Sequence, residues 1–134
     1  MRLITVDTSA IVAILLDEPA SDAIQRILYD SRPQISSASL LECYMRIKET
    51  IGDPSGLAID RTIDEFDLTV TEFGLKHLTY AQIAFDKYGK GRHPARLNFG
   101  DCIVYATSKL SKSPILCLGN DFAQTDASLV EIPV

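Results

Sequence analysis

The sequence has no tryptophan, only two histidines and three cysteines, and no apolar run long enough to cross a membrane. Its longest apolar run covers residues 10–16, well short of the roughly 20 residues that a membrane helix needs. The cysteines, Cys43, Cys102 and Cys117, are odd in number and stand among apolar residues. This pattern fits neither a disulfide framework nor a zinc site. We therefore expect reduced core cysteines and no membrane partner.

Positive charge is also scarce, because 13 Lys and Arg residues face 18 Asp and Glu residues. The resulting net charge of -5 excludes a broadly basic surface for nucleic acids. Nucleic acid could still bind at a metal site, since bound cations reverse the local charge. The N-terminus reaches Asp7 before any apolar segment develops, so we expect no secretory signal and a cytoplasmic location. A chain of 134 residues, 46% of them hydrophobic, predicts a single domain over residues 1–134.

Strand-like and helix-like segments alternate along the chain. Strands are predicted at residues 3–6, 32–36, 67–71, 114–118 and 129–132. Helices are predicted to begin at a cap at Thr8 or Ser9 and end at residue 16, to cover residues 20–29, and to run from a cap at Ser37 or Ser39 to residue 51. Further helices are predicted from Pro54 past residue 66, at residues 75–88 and from Asn98 to residue 112, with a short helical stretch after the turn at residues 119–122. This alternation predicts an α/β fold, a three-layer α/β/α sandwich with a mostly parallel sheet of about five strands.

Four acidic residues fall where the carboxyl ends of parallel strands would meet. Asp7 ends the first strand, Glu42 lies in the first turn of the helix after the second, Asp101 lies in the helix before the fourth strand, and Asp121 follows that strand. Ligand sites form outside this edge of such sheets. Clustered carboxylates repel and raise each other's pKa values unless a cation neutralises them. A set of oxygen ligands alone suits Mg²⁺ or Mn²⁺ rather than Zn²⁺.

Each acid also has a purely structural interpretation. Ser39 and Glu42 have the spacing of a capping box. Asn98 is a favourable N-cap with Asp101 in the first turn that follows, and the other two acids could begin or cap turns. The residues alone leave both interpretations open.

Four segments resemble the PIN-domain ribonucleases and, more narrowly, the VapC toxins of bacterial toxin–antitoxin pairs. They are residues 6–10 (VDTSA), 37–42 (SASLLE), 97–106 (LNFGDCIVYA) and 119–122 (GNDF). The most specific match is residues 90–95 (KGRHPA) followed closely by LNFGDC, and Thr125 with Asp126 also fits the pattern. The resemblance covers the whole chain, although Leu118 stands where many relatives have a lysine before the glycine.

The resemblance implies an endoribonuclease that uses Mg²⁺, or alternatively Mn²⁺, to activate water, with a small antitoxin protein as its partner. The implied metal ligands, acting directly or through water, are Asp7, Glu42, Asp101 and Asp121. Thr8, Ser9 and Asn98 would hold a carboxylate or a water molecule around them. Relatives of this type usually form homodimers, for which the apolar residues of the helix at 40–47 offer surface. The antitoxin would use a groove between residues 14–27 and 40–51.

A basic segment precedes the third acid. Its candidate RNA contacts are Lys87, Lys90, Arg92, His93 and Arg96. In an acidic chain this segment is the best candidate for steering RNA to the acids, although a solvated loop has the same composition. We interpret His93 as an RNA contact or a structural residue rather than a general base, because water bound to a metal needs no histidine to activate it.

Three functions other than an endoribonuclease are possible alternatives for this sequence. A receiver domain would need adjacent acids after the first strand, a phosphate-accepting Asp after the third and a late Lys, and the sequence has none of them. A catalytically silent binding module with the same fold is disfavoured by the complete set of four acids. A structure-specific DNA nuclease would use the same metal chemistry, so only its substrate distinguishes it.

Overall fold

The computed structural model describes residues 1–52 and 56–133. The strands of this part are β1 (Leu3–Val6), β2 (Arg32–Ser36), β3 (Thr69–Thr71) and β4 (Ile115–Leu116). The helices are α1 (Thr8–Leu15), α2 (Ser21–Tyr29), α3 (Ser37–Ile51), α4 (Leu57–Phe66), α5 (Leu75–Tyr88) and α6 (Phe99–Ser111). None of these helices is long and apolar enough to span a bilayer.

The sheet is parallel throughout and has the strand order β3-β2-β1-β4. The chain passes from β1 to β2 and β3 on one side and returns to β4 on the other. This reversal opens a crevice at the carboxyl ends of the strands next to β1. The predicted α/β sandwich with a parallel sheet is confirmed, with four strands rather than about five.

The predicted fifth strand at residues 129–132 is reduced to a single parallel bridge between Ile115 and Leu129. Two backbone hydrogen bonds flank it, from Ile115 N to Ser128 O at 2.9 Å and from Val130 N to Ile115 O at 2.8 Å. β4 itself has only two residues, so it offers too few backbone groups to pair a longer neighbour.

Apolar side chains pack on both faces of the sheet. One cluster joins β1 and β2 to α1, α2, α3 and α4, and it includes Ile4, Val6, Ile24, Ile35, Cys43 and Phe66. The other joins β4 to α5, α6 and the chain that follows β4, and it includes Ala84, Leu97, Val104, Tyr105, Ile115 and Phe122. Helices therefore cover the sheet on both sides, and the carboxyl edge remains for a site.

A buried polar network fixes the strands against the end of α6. The Gln34 amide donates to Ser111 Oγ at 2.8 Å and to Thr5 Oγ1 at 3.1 Å, and its carbonyl accepts from Thr71 Oγ1 at 3.1 Å. Thr5 also shares a 2.6 Å hydrogen bond with Ser113. The network connects β3, β2 and β1, so it holds the end of β1 in register.

The start of α3 differs from the prediction. Ser36, the last residue of β2, is the N-cap, and its Oγ accepts from Ala38 N at 3.2 Å. Glu42 therefore lies in the second turn rather than the first, and the predicted capping box of Ser39 with Glu42 is wrong. The Ser39 hydroxyl oxygen is buried without a hydrogen-bond partner among the described residues.

Two other predictions concern helices at residues 54–66 and after residue 119. The helix start at Pro54 lies outside the described residues, and α4 is described from Leu57 onward. The helical stretch predicted after Asn120 is a series of turns, closed by hydrogen bonds from Ala123 N to Asn120 O and from Thr125 N to Phe122 O. These turns place the residues after β4 beside the start of α6.

Candidate active site at the carboxyl edge of the sheet

Asp7 stands at the junction of β1 and α1. Its N–H donates to Leu116 O in β4 at 3.0 Å. Its Oδ2 accepts from Ser9 N at 3.1 Å and from Ser9 Oγ. Asp7 itself, rather than Thr8 or Ser9, is thus the N-cap of α1, and Ser9 holds its carboxylate. Capping uses only one carboxylate oxygen, so it leaves the other for a ligand.

Asp101 lies in the first turn of α6, where the predicted N-cap Asn98 is confirmed. Asn98 Oδ1 accepts from Asp101 N at 2.9 Å, and Asp101 Oδ2 accepts from Asn98 N at 3.1 Å. These two bonds fix the orientation of the carboxylate of Asp101, a residue that is only 7% exposed. Burial of an acid in this way is costly unless it is protonated or paired with a cation.

Glu42 reaches the site from α3, across the fold. Thr8 Oγ1 donates to Glu42 Oε1 at 2.7 Å. The Glu42 carboxylate also lies directly over Gly100, because a Cβ at Gly100 would meet its two oxygens at 2.7 and 2.8 Å. Gly100 therefore allows the acid from α3 to approach the start of α6. In the sequence this glycine appears only within the matching segment at residues 97–106.

Asp121 follows β4 and is exposed. Burial raises the pKa of Asp101 to about 7, the backbone N–H of Asn98 partly offsets this, and the charges of Asp121 and then Asp7 raise it further. Burial also raises the pKa of Asp7, Ser9 opposes the rise, and the charges of Glu42 and Asp121 add to it. The structure thus brings all four predicted acids within electrostatic reach of one another.

A cysteine that sequence reasoning assigned only to the core lies in the same field. Burial raises the pKa of Cys117 to about 12, and the charges of Asp7, Asp121 and Asp101 contribute. Cys117 is therefore a neutral thiol beside the acids. In the sequence, the position of Cys117 between the fourth strand and Asp121 was the signal that could have placed it beside the acids.

The four acids do not form a closed cage. Among residues 1–52 and 56–133, no three His, Cys, Asp or Glu side chains stand as a ready-made metal site. The acids are neighbours in a shared negative field, held by hydrogen bonds from Thr8, Ser9 and Asn98.

The basic segment meets the acids in one polar cleft of about 390 Å³. The cleft is lined by Asn98, Asp101 and Asp121 and also by Lys90 and Arg96. No carboxylate of the described chain lies within ion-pair distance of these two cations. The cleft therefore offers positive charge next to a buried carboxylate.

The other three candidate RNA contacts point elsewhere. Arg92 lies over the Phe85 ring at 5.0 Å, and Lys87 lies over the Tyr88 ring at 5.1 Å. His93 Nδ1 accepts from Ala95 N at 3.0 Å, which shapes the loop. Of the five residues, only Lys90 and Arg96 line the acidic cleft.

Asp126, the last acid of the quoted pattern, has a structural role in this fold. Its carboxylate accepts from Tyr105 OH at 2.6 Å and pairs with Lys109 at 3.1 Å. Burial alone would raise the pKa of Asp126, but these two partners lower it. Asp126 thus ties the C-terminal segment to α6.

Comparison with known proteins identifies the family. The PIN domain family matches residues 4–128. Ribonuclease VapC36 of Mycobacterium tuberculosis is 41% identical over 123 residues, which are 90% of this chain and 88% of that protein. Ribonuclease VapC of Mycolicibacterium smegmatis is 37% identical, over 93% of this chain and 98% of that protein. The chain therefore belongs to the PIN domain family, and within it to the VapC group.

Solved structures share the fold at low sequence identity. Mycobacterium tuberculosis VapC20, described as a Sarcin-Ricin loop cleaving toxin, has a TM-score of 0.73 at 16% identity and covers 95% of this chain and 98% of that one. A DNA-bound VapBC from Salmonella typhimurium has a TM-score of 0.73 at 14% identity and covers 98% of both chains. These matches extend over nearly the whole of each chain.

The raised pKa of Asp101 predicts a particular pH dependence of stability in EDTA. Its folded pKa of about 7 exceeds the ordinary value of 3.8, so between these values the folded chain retains a proton that the unfolded chain releases. The contribution of Asp101 to the free energy of unfolding therefore falls as the pH rises through this window. Asp101→Asn should remove that fall, and the variant should gain stability relative to wild type as the pH rises.

Urea unfolding across this pH range measures the difference, with Asp64→Asn on the exposed side of α4 as the matched control. The Asp64 variant should follow the wild-type curve. A difference between wild type and Asp101→Asn that stays constant with pH contradicts the prediction.

Proposed function

We propose that this chain is a metal-dependent endoribonuclease that acts as the toxin of a toxin–antitoxin pair. The observation that carries the proposal is one cleft that is lined both by Asp101 and Asp121 and by Lys90 and Arg96. Negative side chains suit a cation, and positive side chains suit the phosphates of a nucleic acid. Relatives that share 36 to 41% of their residues with this chain are named ribonucleases, which supports RNA as the substrate.

The side chains fit a hydrated divalent cation better than a fully enclosed one. Mg²⁺ usually keeps several waters and takes one or two carboxylates directly. Asp7 and Asp101 fit the direct ligands, because both are oriented by hydrogen bonds and share each other's field. Glu42 and Asp121 would complete the set of acids that holds the cation. Mn²⁺ prefers similar oxygen ligands and can replace Mg²⁺.

The residues around the cleft have different roles in the proposed hydrolysis. Thr8 holds Glu42, Ser9 holds Asp7, and Asn98 holds Asp101. These acids would hold a divalent cation, whose chemistry would be to activate a water molecule and to neutralise charge on the phosphate. Lys90 and Arg96 bind phosphate oxygens and bring the RNA backbone across the acids.

Asp7→Asn and Asp101→Asn should each lower Mg²⁺-dependent RNA cleavage by at least about 100-fold. Asparagine keeps the shape and the capping oxygen of aspartate but removes the charge. Stability in EDTA should be unchanged or raised, because each substitution relieves repulsion. Cleavage of single-stranded RNA, structured RNA and DNA is followed with Mg²⁺ and with EDTA.

Asp64→Asn serves as the control and should cleave like wild type. Wild-type cleavage of RNA in EDTA, or of DNA in preference to RNA, contradicts the proposed activity. A variant that melts much earlier than wild type in EDTA indicates that the acid has a mainly structural role.

Gly100→Ala tests the approach of Glu42 to the acids of α6. The added methyl group would overlap the Glu42 carboxylate, which must move away while the helix remains intact. We expect a loss of cleavage of about 10- to 100-fold with little change in the free energy of unfolding. Gly74→Ala is the matched control, since its Cβ would meet no atom closer than 4.0 Å. Equal activity of Gly100→Ala and wild type would show that the position of Glu42 does not matter.

The exposed apolar face of α3 supports a protein partner. Leu41 and Met45 are 60% and 54% exposed, whereas Cys43 and Ile47 on the opposite face are buried. Burial within this chain therefore does not account for Leu41 and Met45. We propose that the surface between residues 14–27 and 40–51 receives an antitoxin, and that α3 also supports a homodimer. VapBC complexes among the structures of the same fold are consistent with an antitoxin.

An antitoxin that places an Arg or Lys among the acids should compete with Mg²⁺, because both neutralise the same carboxylates. Thermodynamic linkage requires each ligand to weaken the other by the same factor. Calorimetric titration of the cognate antitoxin into the chain, with and without Mg²⁺, measures that factor. Equal affinity under both conditions would contradict displacement of the metal and leave blockage of the RNA path as the mode of inhibition.

A further inference from the structure

An exposed aromatic side chain stands next to the proposed phosphate site. Phe99 is the first residue of α6, between the N-cap Asn98 and the buried Asp101, and it is 85% exposed. A large apolar side chain that stays in water forgoes the favourable free energy of burial. The position therefore calls for an explanation other than packing within this chain.

Phe99 lines a second cleft, which Asn98 does not line. This cleft has a volume of about 660 Å³ and is mainly apolar. The aromatic rings of Phe73, Phe85 and Phe99 line it together with Leu78. The polar cleft of Asp101 and the apolar cleft of Phe99 thus share the N-terminal turn of α6.

One cation contacts a ring of the aromatic cleft, and two more line the polar cleft. The Arg92 guanidinium lies over the Phe85 ring at 5.0 Å, and Lys90 and Arg96 line the neighbouring polar cleft. Exposed rings with cations nearby suit single-stranded nucleic acid, because bases stack on rings while phosphates contact the cations. Gln82 and Asp86 also line the aromatic cleft and provide hydrogen-bonding groups for a base edge.

We propose that Phe99 is a base-stacking residue that holds a nucleobase of single-stranded RNA beside the scissile phosphate. The inference rests on the proposed ribonuclease function and names the residue that positions its substrate. A nucleobase on Phe99 places its own phosphate toward the turn at Asn98, where the polar cleft begins. A second copy of this chain would use the rings but has no need of the adjacent cations.

The test measures binding of a short fluorescein-labelled single-stranded RNA of mixed sequence by anisotropy in EDTA, where no metal-dependent cleavage occurs. Phe99→Ala and Phe99→Leu should each weaken binding by about 5- to 150-fold, because neither side chain offers an aromatic face. Phe99→Tyr should bind like wild type. The same backbone without bases should bind wild type and Phe99→Ala equally weakly.

Leu75→Ala is the matched control, since Leu75 is 83% exposed on α5 and does not line the aromatic cleft. Light scattering on each variant reports the oligomeric state. Unchanged affinity of Phe99→Ala, wild-type affinity of Phe99→Leu, or an equal loss for RNA with and without bases would overturn the inference. Conversion of a dimer to a monomer by Phe99→Ala without loss of RNA binding would assign the surface to self-association instead.

Failure of this inference is distinguishable from failure of the proposed function. If wild type cleaves RNA with Mg²⁺ but Phe99→Ala retains its affinity, only the stacking role is lost. If wild type neither binds nor cleaves RNA, the ribonuclease function fails and the stacking role fails with it.

Discussion

The mutual repulsion of four carboxylates at one edge of the sheet is the constraint on which the rest of the site depends. β1 occupies a central position between β2 and β4, so Asp7 at its end faces acids from three other segments. Hydrogen bonds from Thr8, Ser9 and Asn98 hold the carboxylates of Glu42, Asp7 and Asp101 in place. Burial, and after it the charges of neighbouring acids, raises the pKa values of Asp7 and Asp101, and a bound cation would oppose that rise.

Stability and activity therefore oppose each other in this cleft. Hydrogen bonds orient the acids without neutralising them, and Lys90 and Arg96 line the cleft without forming an ion pair with any described carboxylate. Ion pairs between these cations and carboxylates, like the one between Lys109 and Asp126, would have stabilised the charges of the cleft. Charges left without partners are available to ligands, and this is the electrostatic basis of the proposed chemistry.

Sequence reasoning succeeded where a feature depends on neighbouring residues. Asn98 and Asp101 are three positions apart, and their reciprocal hydrogen bonds follow from helix geometry alone. The carboxyl edge of the sheet followed from the alternation of strands and helices. Asp7 was placed there correctly, although its role as the cap of α1 was assigned to Thr8 or Ser9.

Features that depend on packing between distant segments could not be predicted in this way. The approach of Glu42 to Gly100 requires α3 to pack on α6, and no local pattern encodes it. Ser36, Ser37 and Ser39 are equally good caps by residue type. Ser36 is the cap because β2 ends at that residue.

The central claim is that the acids hold a divalent cation at the carboxyl edge. Crystals soaked in Mn²⁺ test it most directly through an anomalous difference map. The account predicts a peak in contact with the carboxylates of Asp7 and Asp101, whereas a cation bound elsewhere, or no peak at this edge, would contradict it.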